Sequence, residues 1–249
     1  MAIVKVQHFM VSSTQTWVKE HLEQIPQNGW LLVTTDQQTA GLGTHGRVWY
    51  SPLGNIYATL ATKLPHSFTP QKNQFAQVAA LSVAEALEQF GFTPQLRWVN
   101  DVLLKDKKVS GILAEIVKNA TRELCLLIGV GINVNLQQAG LQELASSATS
   151  LQIERGYEFD LEEIIEIFLR FFQSNIDDYL NNKNTRYLTE RIQNRLTAQV
   201  GETIAIIVDG KKNYGIFLGL DEKGQVRLQV DQEVIIFNRG SMFRNVKQF

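Results

Sequence analysis

A single cysteine, Cys125, stands in this 249-residue chain. One thiol excludes an intrachain disulfide framework and fits a reducing compartment. It lies in the apolar run Leu124-Cys125-Leu126-Leu127-Ile128, where it reads as a buried, inert thiol and not as a nucleophile. An excess of either charge is also missing. With 24 Lys and Arg against 25 Asp and Glu, the net charge of -1 leaves no electrostatic footprint for nucleic acid or an anionic membrane. No apolar run approaches the roughly 20 residues of a membrane span. Met1-Ala2-Ile3-Val4-Lys5-Val6-Gln7-His8 carries neither a long apolar core nor a small-residue cleavage site, so no signal peptide is read. Internal repeats and low-complexity segments are absent. What remains is a cytoplasmic globular protein, with 44% hydrophobic and 20% charged residues, long enough for one large domain or a large and a small one.

Taken in order, residues 3 to 10 alternate as a strand. Ser12 or Ser13 then caps a helix, with Gln15 three residues after Ser12 as in a capping box, and this helix fades at Pro26-Gln27-Asn28-Gly29. The apolar run Trp30 to Thr35 reads as a strand leading into the loop Gln38 to Trp49. Gly41, Gly43 and Gly46 formally match G-x-G-x-x-G, but a dinucleotide site also needs a helix opening at the glycines and an acid about 20 positions on. Trp49-Tyr50-Ser51-Pro52-Leu53-Gly54 breaks any helix and Ala61 to His66 supplies no acid. The stretch is therefore a glycine-rich loop whose backbone can approach a ligand closely. Asn55 to Lys63 reads as a strand, followed by a helix capped at Thr69-Pro70 that runs through Phe75, Val83 and Leu87 to Gly91.

Strands are expected over Gln95 to Val99, Val109 to Val117 and Glu123 to Asn135, and in the last of these Gly129 and Gly131 mark a bulge or something packed against the backbone. Residues 136 to 159 look irregular. Asp160-Leu161-Glu162-Glu163 resembles a capping box opening an amphipathic helix through Ile164, Phe168, Phe172 and Leu180, and a short helix through Leu188, Ile192 and Leu196 follows. From Gln199 the period changes to 2, and five short strands between Thr203 and Val246 suggest a small open barrel. The expected division is residues 1–197 and 198–249.

The chemistry concentrates at strand ends and in loops, where a scaffold presents a site. Arg97-Trp98-Val99-Asn100-Asp101 and the turn to Lys108 and Gly111 bring an aromatic, an amide, a carboxylate and lysines together. Alone, this is a solvated hairpin with a Lys-Lys turn. Its companions are Ser13-Thr14-Gln15, the loop Gln38-Thr39-Ala40-Gly41-Leu42-Gly43-Thr44-His45-Gly46-Arg47 with Trp49, Ser51 and Pro52, the run Lys108-Val109-Ser110-Gly111-Ile112-Leu113, and Gly129-Val130-Gly131-Ile132-Asn133.

In that order and over nearly the whole chain, these motifs resemble those of the biotin protein ligases. The resemblance implies an α/β (α+β) fold: a mixed β-sheet flanked by helices, like the class II aminoacyl-tRNA synthetases, plus a small SH3-like C-terminal β-barrel. It implies that biotin and Mg-ATP give biotinyl-5′-AMP and pyrophosphate, and that a lysine of a biotin carboxyl carrier domain of acetyl-CoA carboxylase, or of a related biotin-dependent carboxylase, then attacks the mixed anhydride. By the same resemblance Lys108, Arg47 and Asp101 are catalytic, with Asp101 helping to place magnesium. Biotin falls to Ser13, Thr14, Gln15, Gln38, Gly41, Leu42, Gly43, Thr44, Trp49, Lys108, Gly111 and Leu113, and the nucleotide to Arg47, Trp49, Asn100, Asp101 and Asn133. A carboxylate meeting a polyphosphate needs cations and backbone donors where charge develops. Biotin's apolar bicycle and urea head want an apolar wall with a few polar groups.

The loop departs from the family where Leu42 and Thr44 replace two arginines, and Gln15 and Val99 replace Asn and Pro. A threonine cannot supply an arginine's forked, permanent charge, so looser retention of biotinyl-AMP is expected. Lys105 and Lys107 are read as solvated. Two other readings stay open: a lipoate or octanoate transferase of the same superfamily, and a degenerate biotin- or carrier-binding protein without catalysis. With motifs beginning at Ser13, no DNA-binding helix-turn-helix is expected, and the protein is taken as a monomer or homodimer.

Overall fold

The computed structural model describes residues 2–65, 72–137, 147–181 and 185–244. The expected cap at Thr69-Pro70 lies outside them. Seven strands form the first sheet: β1 (Ile3–Val11), β2 (Trp30–Gln38), β3 (Ile56–Lys63), β4 (Gln95–Arg97), β5 (Asp101–Leu104), β6 (Lys107–Lys118) and β7 (Leu124–Ile132), in the order β1-β2-β3-β7-β6-β5-β4. β1 and β2 run parallel and the other neighbours antiparallel, which makes the sheet mixed as the resemblance implied.

The alternation of side chains along these strands sorts residues between two faces. Leu32, Ile56, Ala58, Leu60, Leu126, Ile128 and Ile112 belong to the main core. Their neighbours Leu31, Val33, Ala61, Cys125 and Leu127 face a smaller cluster. The main core is closed by α2 (Lys72–Gln89), α4 (Leu161–Leu180) and α5 (Thr185–Gln193), whose Phe75, Leu87, Phe168, Phe172, Leu188 and Ile192 are buried. The opposite face is covered at one end by α1 (Thr14–Glu20) through Val18. Gly91, with φ of +74°, ends α2 in a conformation glycine adopts without strain. Asp160 caps α4, its carboxylate accepting from the backbone N–H groups of Glu162 and Glu163.

Three expectations need correction. The cap of α1 is Ser13, whose hydroxyl accepts from the Gln15 N–H at 3.2 Å. The Gln15 side chain does not close a capping box but turns to Glu115 and Thr59. Residues 136–159 are not all irregular, because Ser150 caps a short helix, α3 (Leu151–Arg155), ended by Gly156 in the left-handed conformation. The strand expected to reach Val99 stops at Arg97, and the Trp98–Val99 peptide is cis.

β8 (Thr203–Val208), β9 (Lys211–Leu220), β10 (Val226–Val230), β11 (Glu233–Phe237) and β12 (Ser241–Arg244) form an antiparallel sheet in the order β11-β10-β9-β8-β12. Among the described residues no ladder joins β11 to β12. Ile204, Ile206, Phe217, Val226, Leu228 and Met242 of this sheet bury into the same core as Leu96 and Trp98. The Trp98 indole donates to Gly224 O at 3.0 Å, and Leu96 exchanges backbone hydrogen bonds with Arg195 and Thr197. No helix among the described residues is long and apolar enough to cross a membrane.

Candidate active site

The face of the first sheet that carries α1 continues past it into a cleft of about 340 Å³, within the range of small-molecule sites. The sequence explains the opening. Toward the β6 end Gly129 and Gly131 on β7 and Gly111 on β6 face this side, and of their neighbours on β6 only Leu113 adds a side chain, so the space stays open. Gly111 and Gly131 are register partners, and the indole of Trp49 lies against both. A Cβ on Gly131 would come 2.5 Å from the ring, and one on Gly111 would come 2.9 Å from it and 2.8 Å from Lys108 Nζ. Small residues on two neighbouring strands thus form a platform for an aromatic ring. The Trp49 Nε1–H is buried without a hydrogen-bond partner among the described residues, an unsatisfied donor at the cleft that a bound acceptor would relieve.

At one end the polar groups are wired together. The Thr14 N–H donates to Gln38 Oε1 at 2.9 Å, Gln38 Nε2 donates to Ser51 Oγ at 2.8 Å, and Ser51 donates on to Trp49 O at 2.8 Å. The fully buried Thr59 hydroxyl is shared between Thr14 Oγ1 at 2.9 Å and Gln15 Oε1 at 3.1 Å. Gln15 Nε2 donates to Glu115, which pairs with Lys19. These bonds fix the Gln38 and Gln15 amide orientations, so the cleft meets a pre-set pattern of donors and acceptors.

At the other end Lys108 reaches the cleft through a break in strand parity. Along β6, Gly111 and Leu113 line the cleft while Ile112 is in the core, so strict alternation would place Val109 in the cleft and Lys108 in the core. The opposite holds. Asp101 pairs with Gly111 and Val102 with Ser110, but Leu103 pairs with Lys108. Val109 is therefore an inserted residue, a bulge that re-aims the lysine. Lys108 Nζ lies 2.6 Å from Asp101 Oδ1 and 5.1 Å from the centroid of the Trp49 ring. Arg97 donates to the other oxygen, Asp101 Oδ2, at 2.6 and 3.1 Å. Burial would push the Asp101 carboxyl up, but the Lys108 and Arg97 charges and hydrogen bonds outweigh it and hold it below the ordinary range.

The structure brings Ser13, Thr14, Gln15, Gln38, Leu42, Gly43, Thr44, Arg47, Trp49, Asn100, Lys108, Gly111, Leu113 and Asn133 to the cleft wall. Gly41 and Asp101 are not on it. Gly41 is held inside the loop, where Trp49 N–H donates to its carbonyl and a Cβ would collide with Trp49 O and Ser51 Oγ. Asp101 lies behind Arg97 and Lys108. Both of its oxygens hold cations, so it does not fit the part of a metal ligand, and no group of three His, Cys, Asp or Glu suited to a metal occurs among the described residues. Asn100 is pinned by its Nδ2 to Ile112 O at 2.8 Å, and Asn133 by its Nδ2 to Thr149 O at 3.0 Å. Thr44 accepts from Arg47 through both hydroxyl and carbonyl. Lys105 and Lys107 are exposed, as read from the sequence, and the Lys105 ammonium also lies 2.8 Å from Glu154.

Sequence reasoning missed Arg97, Tyr57, Ser147 and Ala148 on the wall. Arg97 was legible as the residue beside the Trp-x-Asn-Asp stretch. Ser147 and Ala148 carry no local signal, because their place depends on a backbone bridge to Lys108.

Residues 8–133 match the model of the biotin/lipoate A/B protein ligase family. The chain belongs to that family. It is 31% identical over 229 residues to the biotin–[acetyl-CoA-carboxylase] ligase of Paracoccus denitrificans, covering 88% of this chain and 93% of the relative. It is also 31% identical over 233 residues to the bifunctional ligase/repressor BirA of Bacillus subtilis (strain 168), covering 92% of this chain and 70% of that one. Among solved structures, the biotin protein ligase from Aquifex aeolicus in complex with biotin and ATP superposes with a TM-score of 0.81 at 29% identity, over 96% of this chain and 97% of that chain. The family's shared fold accounts for the mixed sheet, and the cleft between the Gln38–Trp49 loop and the glycine platform lies within or beside the matched residues.

Proposed function

We propose that this chain is an ATP-dependent biotin ligase. It joins the carboxylate of biotin to the α-phosphorus of ATP with departure of pyrophosphate, then passes the acyl group to a lysine of a biotin carboxyl carrier domain with departure of AMP. The amine's proton leaves as the amide forms. The observation that carries this reading is the pairing, in one cleft, of a pre-oriented polar end (Thr14, Gln38, Gln15) with a cationic end (Lys108, Arg97) across a Trp49 floor. A urea head and apolar bicycle suit the first end, while a carboxylate approaching a phosphate suits the second.

In this reading Lys108 stands between the biotin carboxylate and the α-phosphate and lowers the cost of bringing two anions together. Asn100, Asn133 and Arg47 serve the nucleotide, and Asp101 sets the position of Lys108. Magnesium arrives on the phosphates of its nucleotide, consistent with Asp101 being occupied by two cations. The partner is a carrier domain of acetyl-CoA carboxylase or a related carboxylase, as the relative's name suggests.

Calorimetry with biotin, lipoate and octanoate in parallel tests the substrate. The fixed amides at the polar end predict binding of biotin and at least about tenfold weaker binding of lipoate and octanoate, which have no urea head and leave Gln38 and Thr14 unmatched. Equal or tighter binding of lipoate would transfer the reading to lipoate chemistry.

A further inference from the structure

The bulge that aims Lys108 leaves backbone groups which β5 no longer pairs in register, and a segment far along the chain satisfies them. The Lys108 N–H donates to Ser147 O at 2.7 Å, and the Thr149 N–H donates to Lys108 O at 2.9 Å. The Val109 carbonyl accepts from the Asn133 N–H at 2.8 Å. This strap is itself anchored. Thr149 is fully buried, and its hydroxyl donates to Glu154 Oε1 at 2.7 Å. Glu154 Oε2 lies 2.8 Å from the ammonium of Lys105, in the turn that joins β5 to β6. The Glu154 side chain is 9% exposed and that of Lys105 is 77% exposed, so the pair ties a nearly buried carboxylate to the hairpin tip. One threonine thus connects the backbone of the bulge to the turn three residues before Lys108.

We propose that Thr149 and Glu154 are positioning residues that hold the Val109 bulge in register and so keep the Lys108 ammonium in the cleft. Neither lines the cleft, so both act through Lys108 and not on the substrate. The catalytic readout of this proposal rests on the ligase reading above, while its structural readout does not. Without the Thr149 hydroxyl, Glu154 loses one of its two partners, and the strap keeps its bond from Asn133 Nδ2 to Thr149 O but loses its tie to the hairpin turn. The strand can then relax toward regular alternation, which turns the lysine away from the cleft.

The test uses the full chain with Thr149→Val, Thr149→Ser and Glu154→Gln, and Thr149→Val combined with Lys108→Ala. In biotin-dependent exchange of pyrophosphate into ATP, Thr149→Val should lower turnover about tenfold or more with the KM for biotin within about threefold, and Thr149→Ser should restore most of it. In the Lys108→Ala background the same change should alter the residual rate by less than about twofold, since the effect runs through the missing ammonium. An unchanged turnover, or the same tenfold loss in the Lys108→Ala background, would overturn the proposal. Should Thr149→Val fail to fold, Glu154→Gln is judged by the same criteria. If the wild-type chain shows no exchange at all, the ligase reading fails and the strap is decided by hydrogen–deuterium exchange. Loss of about tenfold protection at the Lys108 amide, with the Ile128 amide unchanged, supports it, and unchanged protection at Lys108 overturns it.

Discussion

Lys108 Nζ and Asp101 Oδ1 stand 2.6 Å apart, and Arg97 holds the second oxygen of the same carboxylate. Two cations on one anion leave a single positive charge beside the cleft, and the lysine is tethered without being neutralised. Removing it should cost far more in chemistry than in stability. Lys108→Ala is expected to lower the rate of biotin-dependent pyrophosphate exchange by about a hundredfold or more, while thermal unfolding shifts by only a few degrees because Arg97 still pairs with Asp101. A comparable fall in melting temperature and rate would mean that the pair is structural.

The same carboxylate gives the protein a distinct acid response. Its folded pKa lies below the ordinary value of 3.8. The stability it contributes is therefore present above that value and lost as the pH falls through the lowered one. Thermal unfolding followed from about pH 5 down to about pH 2 should show a destabilisation that is shallower in Asp101→Asn, whose amide cannot titrate. Identical slopes in the two proteins would remove Asp101 from the acid transition.

The Trp49 platform can be tested by adding one methyl group. Gly131→Ala places a carbon within 2.5 to 2.8 Å of three indole atoms, so the ring must move. Stability should fall by about 1–3 kcal/mol at most, whereas biotin and nucleotide affinity should both drop, as seen by calorimetry. Wild-type affinity in a folded Gly131→Ala protein would show that the ring's seat is immaterial.

Thr44 and Leu42 stand where the resembling ligases carry arginines, and here the Thr44 hydroxyl accepts from Arg47 Nη2 at 2.8 Å. The loop thus ties down the guanidinium it keeps. Thr44→Arg would supply a second forked donor beside the acyl phosphate, and retention of biotinyl-AMP, measured as its dissociation half-life, should lengthen by about tenfold. An unchanged half-life would contradict the expectation drawn from the loop.

Much of this arrangement was legible in the sequence because it is local. Trp49, Gly111 and Gly131 could be singled out by type and order, and the strand periods separated the first sheet from β8 to β12. Asp160 announced α4 because its cap acts within three residues. What escaped depends on register or on distant partners. The Val109 insertion cannot be seen in a run that alternates plausibly either way, yet it decides that Lys108 faces the cleft. Gln15 looked like a capping residue by spacing, but Thr59 and Glu115, 44 and 100 positions away, claim its amide. Lys105 is solvated as read, and only its pairing with Glu154 escaped, because Glu154 lies on α3, a five-residue helix too short to show a period. Asp101 was read as a magnesium-placing carboxylate, and its two ion pairs, with Lys108 and Arg97, were not legible because they depend on how the β5–β6 hairpin folds.

In the proposed reaction the cleft activates biotin with ATP by way of Lys108. The most direct measurement is the exchange of labelled pyrophosphate into ATP by the purified chain with magnesium, with and without biotin, in wild type and Lys108→Ala. Label is expected in ATP only when biotin is present, not with lipoate or octanoate in its place, and it should be nearly lost in Lys108→Ala. No biotin-dependent label in the wild-type chain, or exchange that persists undiminished without the Lys108 ammonium, would contradict that reaction.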